Sequence, residues 1–329
     1  MEDFFSLMKK VFSVITVALV TIFSLNFGRN LNIEKPEGAI VTAAVVSDVH
    51  LTNELYRKIG FLPGLLDMQK NIKPDLFICT GDCTDNGNEK NWKAFADMVM
   101  KYLPDAEKII TLGNHDTWIS YDGDHDYAPA KENFLKYSNM IMGTDNKTVW
   151  YTREISGYSF IVMGQEETSV ACDISDEQIS WLESAMAAAA EKSRGKPIFV
   201  INHQPFNFTH IVGDNEHSNG FNSNETVEKI EKILNSYQNV IYFSGHQHYN
   251  LVAEASEKSI GFQSVEKIGS NITSVNLPSY EYGSFLTDEW GVLGQGIVMY
   301  IYEDRVELQG RNFFLADYVE DFDITINIK

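Results

Sequence analysis

The chain has 329 residues, 44% of them hydrophobic and 22% charged, a composition that fits a globular protein with its own core and excludes a disordered one. Its formal net charge is −20. Such a surface repels polyanions, so no nucleic-acid partner is expected, and an anionic ligand would need a local positive centre such as a metal. Three cysteines, Cys79, Cys83 and Cys172, are too few for a disulfide scaffold, and no C-x-x-C is present. They read as small buried thiols, with Cys79 and Cys83 able to pair only if the backbone allows it.

The first element is "VFSVITVALVTIFSLNFG", residues 11–28, which carries no charge and follows Lys9 and Lys10. A basic pair before an apolar run is the pattern of an export signal or a signal anchor, expected here over residues 1–30. At about 18 residues it meets the lower limit for a membrane span. It is apolar on every face, unlike an amphipathic helix. The lysines favour an N-terminus inside and the remainder outside, so residues 36–329 are expected as one extracytoplasmic domain, secreted or membrane-anchored.

From Ala39 onward, short apolar runs each end in a polar cluster. They are "AIVTAAVVSDVH" (39–50), "DLFICTGD" (75–82), "KIITLGNHD" (108–116), "PIFVINHQP" (197–205) and "VIYFSGHQH" (240–248), and their content predicts buried strands. Helices are predicted in 54–75, in 175–197 after a Ser175 N-cap, and from Asn224 to Asn239. Residues 148–155 and 158–165 read as a hairpin joined by Ser156-Gly157. The segments 271–279, 296–304 and 305–313 supply further alternating strands. Strands alternating with helices predict an α/β layered fold.

In open α/β sheets, ligands gather beyond the carboxyl ends of the strands. There this chain places Asp48 and His50, Asp82, Asn114 and His115, His203, and His246 with His248. Five of its eight histidines fall at such ends. Taken singly, each piece has an ordinary explanation: "SDVH" is a polar strand exit, "TGD" a turn, His203 a satisfied core histidine. Their joint occurrence, each closing an apolar run, makes coincidence a poor explanation. Oxygen and imidazole donors without thiolate suit Mn, Fe, Zn, Co or Ni.

The ordered set D-x-H, G-D, G-N-H-D, H and G-H-x-H, over roughly residues 40–250, resembles the calcineurin-like metallophosphoesterase superfamily. The resemblance implies a four-layer α/β/β/α sandwich with two divalent metal ions at its strand ends. It implies Asp48, His50 and His248 on the first ion, Asn114, His203 and His246 on the second, and Asp82 bridging both, a carboxylate having an oxygen for each. His115 would face the substrate and assist the leaving oxygen, with Asp116 orienting its imidazole. In extended backbone, residues i and i+2 share a side, so the two histidines of "GHQH" would each reach one ion. The implied reaction is hydrolysis of a small-molecule phosphate ester by a hydroxide bridging the metals.

"GDCTDNG" resembles the GDLTDxG form of cyclic-nucleotide phosphodiesterase-like enzymes, with Cys83 where leucine is usual, and slightly favours diesters over monoesters. Purple acid phosphatases carry a tyrosine ligand where this chain has Asp85, which speaks against a charge-transfer centre. Gln204 replaces the second histidine of the family's N-H-H-P. Two loops, 117–143 and 206–224, are expected to carry specificity, with Tyr121, His125, His210 and His217 as candidate substrate contacts. The alternative is a non-catalytic metal-binding scaffold or sensor of the same fold at the membrane.

Overall fold

The apolar runs become strands as predicted, but each strand stops before its polar cluster, so the cluster lies in a loop. The structure is a computed structural model that describes residues 31, 33–120, 126–210, 220–256, 262–281 and 293–329. In chain order the elements are β1 (Val41–Val46), α1 (Leu55–Asp67), β2 (Leu76–Cys79), α2 (Glu89–Tyr102), β3 (Glu107–Ile110), α3 (Tyr127–Met142), β4 (Tyr151–Ile155) and β5 (Tyr158–Val162). There follow α4 (Asp176–Ser193), β6 (Ile198–Ile201), α5 (Asn224–Asn235), β7 (Val240–Ser244), β8 (Val265–Ile268), β9 (Ile272–Asn276), β10 (Gln295–Ile301), β11 (Arg305–Asn312) and β12 (Asp317–Asn327).

Two six-stranded sheets form, ordered β12-β11-β10-β1-β2-β3 and β4-β5-β6-β7-β9-β8. β1, β2 and β3 run parallel, as do β5, β6, β7 and β9, so the carboxyl ends within each set face one way. β1, β2, β6 and β7 are buried at every position, which explains their unbroken apolar runs: both faces are covered. Phe160, Phe199 and Phe243 stack in series from β5, β6 and β7 and share one core with Val45, Ile78 and Ile297 of the other sheet. On the outer face of the second sheet, Leu182 and Met186 of α4 and Ile230 and Leu234 of α5 pack on Val200 and Tyr242. Phe61, Leu65, Trp92, Phe95 and Phe134 of α1, α2 and α3 join the core on the first sheet's side. The layers are therefore α/β/β/α.

Local chemistry sets the boundaries. Ser175 caps α4 by accepting from the Gln178 N–H, as its sequence predicts. At the β4–β5 hairpin, Ser156 and Gly157 both take positive φ (53° and 78°), the twist that joins two strands tightly. Two helices go beyond the sequence-based expectation. α2 starts at an Asn88 cap and buries Trp92, Phe95 and Val99 along one face. α3 occupies most of the predicted specificity loop 117–143; its Asp126 cap and Phe134, Tyr137 and Ile141 stripe were masked by polar neighbours.

One ion pair ties the helical layer to the sheet. Arg311 on β11 is fully buried and grips Asp67, at the end of α1, through Nε–Oδ2 (3.0 Å) and Nη2–Oδ1 (2.8 Å). Asp67 Oδ1 also accepts from Asn71 Nδ2. The apolar run 11–28 lies outside the described residues, among which no helix is long and apolar enough to cross a membrane.

Candidate metal centre

Beyond β1, β2 and β3 the first sheet delivers Asp48, His50, Asp82, Asn114 and His115; beyond β6 and β7 the second delivers His203, His246 and His248. The two groups meet. His203 Nε2 lies 3.1 Å from Asp82 Oδ2 and 3.8 Å from Asp48 Oδ1. His248 Nε2 is 2.9 Å from Asp48 Oδ1 and 3.2 Å from His50 Nε2, itself 3.9 Å from both Asp48 Oδ1 and Asp82 Oδ2. His246 Nδ1 sits 2.9 Å from Asn114 Oδ1. All seven expected metal ligands thus occupy one site, and Asp48, His50, Asp82 and His248 alone can place one donor atom each around a common point.

The backbone makes this convergence by an unusual route. Asp48, His50, Asp82, His246 and His248 all take left-handed φ values, between 46° and 72°. Such conformations are disfavoured for residues with a Cβ, and their clustering marks a functional site. This corrects the expectation for "GHQH": the strand has ended, and the two histidines converge through left-handed turns rather than through extended alternation. The loops are held by main-chain bonds, from Asp48 N to Gly81 O (3.1 Å), His50 N to Asp82 O (2.9 Å) and Gly245 N to His203 O (2.8 Å).

The motif glycines are there for space. A Cβ on Gly81 (φ 112°) would lie 2.5 Å from His203 Nδ1, one on Gly113 2.9 Å from Asp82 Cγ, and one on Gly245 2.5 Å from Asp48 Oδ2. Each glycine lets a ligand from a different motif approach.

The donor chemistry fits cations. Asp48 Oδ1, Asp82 Oδ2 and His203 Nε2 are buried and lack a well-aligned hydrogen bond, facing other donors of the same site, although burying such groups unsatisfied is costly. The His203 Nδ1–H donates to the Thr80 carbonyl (3.0 Å), which fixes the ring and turns Nε2 inward. Burial, reinforced by the His248 and His115 rings, pushes His50 down to about 3, and burial beside His203 pushes His246 down to about 4. Both rings are therefore neutral and keep a lone pair for a metal. Burial also opposes charge on His203, but Asp82 and Asp48 outweigh it and hold that ring up to about 9. Despite burial, the imidazoles of His248 and His203 hold Asp48 low, and those of His203 and His115 do so for Asp82. Two buried carboxylates held ionised call for positive charge between them.

Asp82 divides its oxygens: Oδ1 accepts the His115 N–H (2.8 Å), and Oδ2 turns toward His203 Nε2 and His50 Nε2. The expectation for Asp116 is corrected. Its Oδ1 accepts from Thr84 N and Thr84 Oγ1, and its Oδ2 from Cys83 N and Gly113 N, so it staples the Asp82 loop to the Asn114 loop. The His115 imidazole is placed by other groups: Nδ1 meets the Asp85 carbonyl (3.0 Å), His50 stands edge-on at 4.5 Å, and Trp118 covers it at 4.2 Å. Burial and the charge of Asp82 push Asp116 up to about 7.

Sequence reading missed Trp118 and gave Asp85 no role of its own, yet Asp85 Oδ1 lies 3.7 Å from His50 Nδ1. The second acid of "GDCTDNG" was the available signal. His210 is not a substrate contact: it is buried, with Nδ1 on the Gln263 carbonyl (3.0 Å) and Nε2 on Ser274 Oγ (2.8 Å). Gln204 is likewise buried, its amide donating to Gln165 Oε1 (2.6 Å). Tyr121, His125 and His217 lie outside the described residues.

The chain is similar to several known proteins. A family model described as calcineurin-like phosphoesterase matches residues 41–250. A curated protein from Arcobacter nitrofigilis, a probable glycerophosphodiester phosphodiesterase GpdQ, is 26% identical over 212 residues, 62% of this chain and 70% of that protein. Similar solved structures include a 5′-nucleotidase from Candida albicans (TM-score 0.47, 12% identity, 89% of this chain and 56% of that one). Another is a conserved uncharacterized protein, a predicted phosphoesterase, from Streptococcus pneumoniae (TM-score 0.40, 11% identity, 87% and 97% covered).

Proposed function

The chain belongs to the calcineurin-like phosphoesterase family, and from that premise we propose that it is a dinuclear metal-dependent hydrolase of small-molecule phosphate esters, diesters in preference to monoesters. The observation that carries this reading is the convergence of buried Asp48 Oδ1, Asp82 Oδ2 and His203 Nε2 with His50 and His248 at the strand ends. The diester preference rests on "GDCTDNG" and on the named activity of the GpdQ relative. β10, β11 and β12 share one sheet with β1, β2 and β3, which supports treating residues 36–329 as one catalytic domain. The charge-free run 11–28 supports export or membrane anchoring of that domain.

Asp48, His50 and His248 would hold one ion and Asn114, His203 and His246 the other, with Asp82 shared between them. Bound there, divalent ions supply Lewis-acid charge to the phosphate and generate a nucleophile from water near neutral pH. The chain's own residues do the rest. The His115 backbone is locked to Asp82 Oδ1, and its ring is held between His50 and Trp118. With Nδ1–H on the Asp85 carbonyl, Nε2 is the atom that delivers a proton to the departing oxygen. Asp116 keeps the two loops in register, so that proton donor and metal ligands move as one body.

The test is hydrolysis of bis(p-nitrophenyl) phosphate and of p-nitrophenyl phosphate by the full chain loaded with Mn²⁺, beside His115→Ala. Turnover of the diester above the monoester is expected, and His115→Ala should lower kcat about 100-fold with the metal retained. Equal kcat in the variant would remove His115 from the chemistry. Bound metal without turnover of either ester would favour a binding scaffold instead.

A further inference from the structure

Directly behind the proposed shared ligand lies a pair of sulfurs that the phosphoesterase chemistry does not use. Cys79 ends β2 and Cys83 follows Asp82; both are fully buried, and their Sγ atoms stand 3.0 Å apart. That separation is shorter than ordinary non-bonded contact between heavy atoms. The backbone between them explains it. Gly81 and Asp82 both take positive φ (112° and 46°), which curls the chain back so that Cys83 returns to face Cys79. The Cys83 N–H is fixed on Asp116 Oδ2 (3.1 Å), so the returning limb has an external anchor. Cys172 is different: its sulfur sits 3.9 Å from Asn202 Oδ1 and no other cysteine is near it among the described residues.

We infer that Cys79 and Cys83 form an intramolecular disulfide when the chain folds in oxidising surroundings, closing a covalent ring around Thr80, Gly81 and Asp82. The step is thiol–disulfide exchange with a small-molecule or protein disulfide: the Cys79 thiolate attacks it and expels one thiol, then the Cys83 thiolate attacks the Cys79 sulfur of the mixed disulfide and expels the second. One S–S bond forms in the chain, one breaks in the oxidant, and two thiols leave with the protons of Cys79 and Cys83. Because both sulfurs are fully buried in the folded chain, exchange takes place before or during closure of the core. An oxidising setting is what the export-type N-terminus implies. The bond removes freedom from the loop that presents Asp82. This pairing stands independently of the proposed metals, whereas the clamping of Asp82 rests on them.

The experiment refolds the full chain in a buffer of reduced and oxidised glutathione, then denatures it in excess maleimide and counts labels by mass. One label, mapped to Cys172, and a chain two hydrogens lighter than the fully reduced form are expected. Three labels, or a bond that includes Cys172, would overturn the pairing. A second arm follows loss of Mn²⁺ to a chelator before and after reduction with a phosphine, beside Cys79→Ala. Reduction should speed loss about tenfold in the wild type and leave the variant unchanged. Equal rates in the wild type, with the label count as expected, would overturn the clamp alone, and a chain that never bound Mn²⁺ would overturn the metal reading but not the pairing.

Discussion

Replacing Asp82 with alanine is expected to lower hydrolysis of bis(p-nitrophenyl) phosphate by on the order of a thousandfold or more. The Asp82 carboxylate meets both the proposed ligands and the backbone of the proposed proton donor. Its Oδ2 lies beside His203 Nε2 and His50 Nε2, and its Oδ1 carries the His115 backbone. The substitution therefore removes the carboxylate shared by the proposed ions and releases the proton donor in one change. It also leaves Asp48 as the one carboxylate, among the described residues, that faces all three of His50, His203 and His248. The fold should survive, because the side chain lies beyond β2 and outside the apolar core. Circular dichroism of the variant checks that point beside the rate. Turnover within tenfold of the wild type would mean that Asp82 is not part of the machinery.

The largest effect on stability is expected from Asp67→Ala, about 3–5 kcal/mol measured by denaturant unfolding. Arg311 is fully buried and is paired with Asp67 through two bonds; Nη1 already lacks a hydrogen-bond partner. Removing the carboxylate strands a guanidinium under α1. The ring of Tyr318, 4.8 Å from the guanidinium carbon, offers only a partial substitute. The paired replacement Asp67→Leu with Arg311→Met should recover most of the loss, since an apolar pair of similar volume needs no compensating charge. If Asp67→Ala costs less than 1 kcal/mol, water reaches Arg311 and the pair is not a buried one.

Much of this site was legible in the sequence because metal chemistry restricts side-chain identity. Asp48, His50, Asp82, Asn114, His203, His246 and His248 stood out as polar groups closing apolar strands, and the structure brings them together. What sequence could not supply was backbone conformation and the partners of each atom. Asp116 looked like an imidazole orienter because it follows His115; only the fold shows that its oxygens face Thr84, Cys83 and Gly113. Left-handed φ at His246 and His248 has no signature in residue type, since glycine and asparagine are the usual markers. α2 and α3 escaped for a different reason. Their polar faces and capping residues resemble loop composition, and the buried stripes of Trp92, Phe95 and Val99 or Phe134, Tyr137 and Ile141 emerge only when helical periodicity is tested. The layered fold itself was readable because β1, β2, β6 and β7 are buried on both faces and so carry unbroken apolar runs.

The most direct measurement is the metal content of the full chain after loading with Mn²⁺ and desalting, determined by elemental analysis beside Asp82→Ala. Two ions per chain, falling to one or none in the variant, are what the arrangement of these ligands predicts. A folded wild-type chain that retains no metal would contradict it.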